Sequence, residues 1–365
     1  MKTAEFLPWH RETAAAWLGN RDRFAHAWLV HGLAGTGLRE FVFAAAASLL
    51  CESPVAGLAC GKCLACGWVA SGNHPDLRRV RPEAVALEEG AQQDCEGGDP
   101  QDAASGPADS GGSGKRAASK EIRVDQIRAL EPWFNNATHR GGWRVALVYP
   151  SEALNAISGN ALLKVLEEPP PSTVFLMVAD APDRLLPTLL SRCRRLPLPT
   201  PSHEAARAWL RDQGLASPDD WLAAAGGAPV LAAKLAASQG AACPDWLGAM
   251  LRTVGKGALP DIGSLADTIS KQPAIDWIDP MHRWCVDLLL ARHGVAVRYY
   301  PALAGQTESI AQRADPAALA ELAQYVQQQR RVASHPLSAK LFAHALLQRV
   351  VSACQPSRSA PTASR

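Results

Sequence analysis

The chain has 365 residues, 47% of them apolar, and 37 Lys and Arg set against 35 Asp and Glu leave a formal net charge of +2. That length allows two or three domains with substantial cores. The even charge excludes the strong basic excess of a free-standing nucleic-acid binder, although a few positive patches remain for DNA contacts within an assembly.

Met1 to Trp17 mixes Lys2, Glu5, His10, Arg11 and Glu12 with apolar residues, so it lacks the apolar stretch of a signal peptide. The longest apolar run, Phe41 to Leu50, is about half the ~20 residues that cross a bilayer. A cytoplasmic protein without membrane association is expected. Nine cysteines in that compartment argue for metal ligation or burial rather than disulfides.

Ala25 to Gly32 predicts a short buried strand, Leu33 to Gly37 a glycine-punctuated loop, and Leu38 to Leu50 an apolar helix. This order opens a nucleotide-binding α/β domain. A working phosphate loop reads G-x-x-x-x-G-K-[S/T]: its amides cradle phosphate, its lysine neutralises the β and γ phosphates, and its hydroxyl holds magnesium. Gly32, Gly35 and Gly37 are in place, but Leu38 stands for the lysine and Arg39 for the hydroxyl residue. Alone, the loop reads equally well as an ordinary glycine turn. Its strand–loop–helix setting favours a degenerate phosphate loop.

Cys51, Cys60, Cys63 and Cys66 follow, four thiols within sixteen residues. Tight C-x-x-C knuckles aim sulfurs at one centre, and four thiolates fill a tetrahedral zinc site, leaving no open position for catalysis. Gly57, Gly61 and Gly67 are expected to give the knuckles backbone freedom. Free or redox thiols are the alternative. Cys95, Cys193, Cys243, Cys285 and Cys354 are isolated and expected to be inert.

His74-Pro75-Asp76 precedes a strand at Leu77 to Val80. Residues 84–120, rich in Gly, Ala, Ser, Asp and Gln, read as a disordered, mildly acidic insertion. A helix is expected over Ile122 to Phe134 and a central parallel strand over Trp143 to Tyr149. That strand should end in acids that hold magnesium; it ends in Tyr149 and Pro150. Asn155 to Glu168 reads as a helix stopped by Pro169 to Pro171, and Thr173 to Val178 as a buried strand. Ala181 to Leu190 and Ser191 to Leu198 supply a helix and a final short strand.

Strand and helix thus alternate over the first ~200 residues, as in a parallel sheet covered on both faces. Beyond Pro201 only helices are expected, short and Ala-rich to Gly240 and longer from Cys243 to Val351, with Trp209, Trp221, Trp246, Trp277 and Trp284 in packing roles.

HAWLVHG, the four cysteines, HPDL, NALLKVLEEPPPSTVFLMVAD and LLSRCR occur in that order over residues 1 to about 200. In these segments the chain resembles the bacterial clamp-loader subunits of the AAA+ class. The resemblance implies a degenerate AAA+ domain at 1–198 with a zinc module at about 51–66, a helical lid domain at 199–241, a helical collar domain at 242–354 and a disordered tail at 355–365. Catalytic members carry an intact loop and an acidic pair, so this chain resembles the members without an ATP site of their own. Arg192, in Ser-Arg-Cys, is implied as an arginine finger serving a neighbouring subunit; its fixed charge and donor fork suit a phosphoryl transition state. Alternatively, Arg192, Arg194 and Arg195 form a solvated cationic helix end. Lys164, Glu167 and Glu168 are expected to serve an interface or the structure. Implied partners are gamma or tau ATPase subunits, a delta subunit, and the sliding clamp with primer-template DNA. Two other functions remain open: a divergent active ATPase, which would turn over ATP alone, and a free-standing zinc-dependent DNA-binding module, which would bind duplex DNA in a salt-sensitive way.

Overall fold

The computed structural model describes residues 5–19, 24–90, 118–139, 142–333 and 338–356. The chain divides into two compact units, 1–201 and 202–365.

In the first unit, α1 (Arg11–Leu18) leads to β1 (Ala27–His31), α2 (Leu38–Leu50), α3 (Leu64–Ser71), β2 (Leu77–Val80) and α4 (Glu83–Glu88). Then come α5 (Val124–Arg128), α6 (Glu131–Asn135), β3 (Arg144–Val148), α7 (Ala156–Glu167), β4 (Thr173–Ala179), α8 (Pro187–Arg192) and β5 (Arg194–Pro197). The strands form one five-stranded sheet in the order β2-β3-β4-β1-β5, and every pairing is parallel. β3 and β4 are buried at every position, as strands covered on both faces must be.

Their side chains alternate between two cores, following the period-2 geometry of a strand. Val145, Leu147, Val174, Leu176 and Val178 join α1 and α2 through Trp17, Phe41 and Ala45. Ala146, Val148, Phe175 and Met177 face the other way, onto Ile127, Leu162, Leu166 and Leu189 from α5, α7 and α8. α7 starts on a capping box in which Asn155 Oδ1 accepts from the amides of Ile157 and Ser158; such caps are worth about 1 kcal/mol.

Three expected elements differ. The helix expected over Ile122 to Phe134 is two short helices, α5 and α6. Pro132 has no amide to donate, so it can sit in a first turn but cannot continue a helix. The helix expected over Ala181 to Leu190 is a 3-10 turn at Pro182–Arg184 followed by α8, each with proline in its first turn. Part of the expected insertion is regular: α4 packs Val85 against the core beside α2, and the Glu83 carboxylate accepts from the Ser119 amide. The remainder of that insertion, 91–117, and most of the expected tail lie outside the described residues.

The second unit carries α9 (His203–Asp212), α10 (Pro218–Ala224), α11 (Pro229–Ser238), α12 (Asp245–Gly255), α13 (Ile262–Ile269), α14 (Ala274–Arg292), α15 (Ala304–Arg313), α16 (Pro316–Val332) and α17 (Ala339–Ala353). No strand occurs among its described residues. It holds two apolar cores. Ala206, Leu210, Leu222 and Ala232 form a small one within α9–α11; Trp277, Trp284, Leu319, Leu347 and their neighbours form a large one around α14. The Trp284 indole donates to the Thr307 hydroxyl at 3.3 Å, and the buried Asp287 carboxylate accepts from the amides of Arg298, Tyr299 and Tyr300. Among the described residues no single helix is long and apolar enough to cross a membrane.

Candidate functional site

The glycine-rich loop joins β1 to α2. A Cβ on Gly32 would stand 3.2 Å from Leu38 Cδ2 and 3.3 Å from the Leu198 carbonyl oxygen, so the chain passes close to its neighbours there. Gly37 caps α2 with a φ of 102°, a conformation that glycine adopts without steric cost. Thr36 is buried, and its hydroxyl donates to the Leu33 carbonyl at 2.7 Å. The Trp9 indole donates to the Thr36 carbonyl at 3.0 Å. The loop is therefore tied down by contacts of its own.

Leu38, at the lysine position, turns inward and is 4% exposed, joined to the core of Phe41 and Val42. Arg39, at the hydroxyl position, points outward to the Glu89 carboxylate, 3.2 Å away. Glu89 also lies 2.9 Å from Arg81 Nε and accepts from the Tyr149 hydroxyl at 3.0 Å. Burial holds that phenol well above its usual pKa, so it remains a neutral donor. The end of β3 thus offers a hydroxyl where magnesium chemistry needs a carboxylate. Glu152, three residues on, is engaged by the Ala181 amide at 2.6 Å.

The four expected metal ligands come together. The Sγ atoms of Cys51, Cys60, Cys63 and Cys66 all lie within 4.8 Å of one another, and Cys51 and Cys63 are 3.8 Å apart. Sulfurs bound ~2.3 Å from a tetrahedral zinc stand about 3.8 Å apart. Backbone amides point at the sulfurs: Lys62 and Cys63 donate to Cys60, Cys66 to Cys63, and Cys60 to Cys51. The two amides on Cys60 bring its thiol down to about 6, while burial lifts Cys66 to about 12. This donor set fits a metal that takes thiolates. Gly57 and Gly61 adopt positive φ as expected, but Gly67 is an ordinary helical residue of α3 with open space around it.

His74 and Asp76 brace this module. The Asp76 amide donates to His74 Nδ1 at 3.1 Å, the Asp76 carboxylate accepts from the His139 amide, and Trp68 of α3 stacks on the His139 ring.

Arg192 lies at the last position of α8, its side chain 35% exposed. Its guanidinium donates to the Thr188 carbonyl at 3.1 Å and is paired with the Glu167 carboxylate at the end of α7. Exposed ion pairs of this kind are worth about 1 kcal/mol or less, so a stronger anion can claim the guanidinium. Cys193 beside it is a core residue: its thiol contacts Met177 Sδ at 3.5 Å, and burial lifts it to about 11. Sequence reasoning found Leu38, Arg39, Tyr149 and Arg192 but not Glu89, Arg81 or the partnership of Glu167 with Arg192.

A profile of the family described as "DNA polymerase III, delta subunit" matches residues 17–202. The chain is 37% identical over 238 residues to a DNA polymerase III subunit delta' of Pseudomonas aeruginosa, covering 64% of this chain and 62% of that one. It is 31% identical over 223 residues to the subunit delta' of Escherichia coli, covering 60% and 56%. A DNA polymerase III subunit tau of Escherichia coli is 30% identical over 171 residues, 47% of this chain and 21% of the other. The chain therefore spans about three fifths of the length of its first delta' relatives.

Proposed function

Because the chain belongs to the DNA polymerase III delta-subunit family, we propose that it works as the delta-prime subunit of a bacterial clamp loader. In that role it closes a ring of AAA+ subunits and hydrolyses no ATP itself. It presents Arg192 to the nucleotide held by a neighbouring gamma or tau subunit and helps load the sliding clamp on primed DNA in the cytoplasm. A delta subunit is the further partner.

One observation carries this reading. The chain's glycine loop has a buried leucine in place of lysine, and the end of β3 a phenol in place of the magnesium carboxylate, while a guanidinium is kept partly exposed at the end of α8. Catalytic equipment is thus missing for its own site and available for another's. Cys51, Cys60, Cys63 and Cys66 would hold a structural zinc, which supplies cross-linking and no reaction step. The small core of α9–α11 and the large core of α12–α17 support reading 199–241 as a lid domain and 242–354 as a collar domain.

The reading is tested by mixing the purified chain with gamma or tau and delta subunits. We expect co-elution as one complex, and no ATP turnover by the chain alone. Failure to co-elute, or turnover by the chain alone, would reject it.

A further inference from the structure

Two guanidinium groups, those of Arg39 and Arg81, converge on Glu89 where the C-terminal edge of the sheet meets the glycine loop. Arg39 comes from the first turn of α2. Arg81 directly follows β2, whereas Arg79 donates to the Gly72 carbonyl at 3.4 Å. Arg81 is buried to about nine-tenths, with its side chain 9% exposed. A buried guanidinium needs an anion beside it, since an unpaired buried charge is strongly destabilising.

The chain supplies that anion itself. Glu89 stands 3.2 Å from Arg39 and 2.9 Å from Arg81, and it accepts from the Tyr149 hydroxyl at 3.0 Å. Glu40, 4.0 Å from Arg39, is the other carboxylate near these groups. Glu89 is held there against a local preference. It is the C-cap of α4, where the negative end of the helix dipole disfavours a carboxylate. Contacts along α4 fix the reach: Val85 packs on the core, and Glu83 is tied to Ser119 and Arg123.

In open parallel sheets, ligands bind in the crevice outside the carboxyl ends of the strands. Arginine forks match carboxylate and phosphate oxygens alike. Without Glu89, Arg39 and Arg81 would face only Glu40, 4.0 Å from Arg39, and a multiply charged anion would fit in the place of the carboxylate. We propose that Arg39, Arg81 and the Tyr149 hydroxyl form an oxyanion site of the polyphosphate class, which Glu89 occupies from within. The chain's own carboxylate then excludes phosphate ligands from the degenerate loop. This holds whether or not the chain serves a clamp loader.

The test is calorimetric titration of the full chain with inorganic pyrophosphate at constant ionic strength, comparing wild type, Glu89→Ala, and Glu89→Ala combined with Arg39→Gln. Wild type is expected to bind at least about tenfold more weakly than Glu89→Ala, and adding Arg39→Gln to abolish the gain. Glu89→Gln, closer in shape, replaces Glu89→Ala in the titration if the alanine variant fails to fold. Extraction of a metal from the thiolate cluster by pyrophosphate would appear equally in all variants. Equal affinity of wild type and Glu89 variant, weak or tight, would overturn the proposal and leave Glu89 a structural counter-ion of Arg81.

Discussion

His10 illustrates how one residue can carry a pH dependence that its position in the chain does not announce. It is fully buried, its ring edge-on to Phe41, and neither ring nitrogen has a hydrogen-bond partner. Burial lowers its pKa from 6.5 to about 4. Between those values the unfolded chain takes up a proton that the folded chain refuses. The stability contributed by neutral His10 is thus present above pH 6.5 and is lost as the pH falls toward about 4. The loss at this residue is up to about 3 kcal/mol. Thermal unfolding of His10→Leu should therefore show a smaller drop over that range than wild type; parallel drops would mean that His10 protonates freely in the fold. At the same scale, the loss of phosphate chemistry was legible in Leu38 and Arg39. The role of Glu89 was not, because a single glutamate in a polar, glycine-rich stretch carries no periodic or spacing signal. The partnership of Glu167 with Arg192 joins residues far apart in sequence, and only the packing of α7 beside α8 brings them together.

At the scale of elements, α2 and β2 have the bounds expected of them: α2 is a mostly apolar run that opens at Gly37, and β2 lies between Pro75 and Pro82. The misjudged segments are those with internal proline, where helical periodicity continues although the backbone hydrogen bonds cannot. The thiolate cluster was legible because knuckle spacing is local: each C-x-x-C turn aims its own amides at sulfur. The bracing of that module by His74, Asp76 and His139 was not, since it spans more than sixty residues of chain. Cys60→Ser separates metal ligation from packing, because Cys60 is only partly buried and the swap removes little core. We expect wild type to hold about one zinc per chain, and Cys60→Ser to lose that zinc and melt several degrees lower (structural zinc contributes folding free energy directly). Cys243→Ser, partly buried and outside the cluster, should keep its zinc. Unchanged zinc content and melting in Cys60→Ser would exclude the metal site.

At the scale of the molecule, the alternation of strand and helix before Pro201 and its absence afterwards were enough to anticipate an α/β unit followed by a helical one. Composition did not fix the strand order, because the order depends on which crossover packs against which face. The central claim is that this chain spends no ATP and lends Arg192 to a neighbour that does. It is tested most directly by clamp- and DNA-stimulated ATP hydrolysis in an assembly rebuilt with gamma or tau, delta, clamp and primed DNA, comparing wild type with Arg192→Ala. The account predicts that the assembly still forms with the mutant and that its hydrolysis falls by a factor on the order of 10³ if one finger governs the step, and by less if other subunits carry fingers of their own. Hydrolysis unchanged by Arg192→Ala in an intact assembly would contradict it and leave Arg192 a surface charge paired with Glu167.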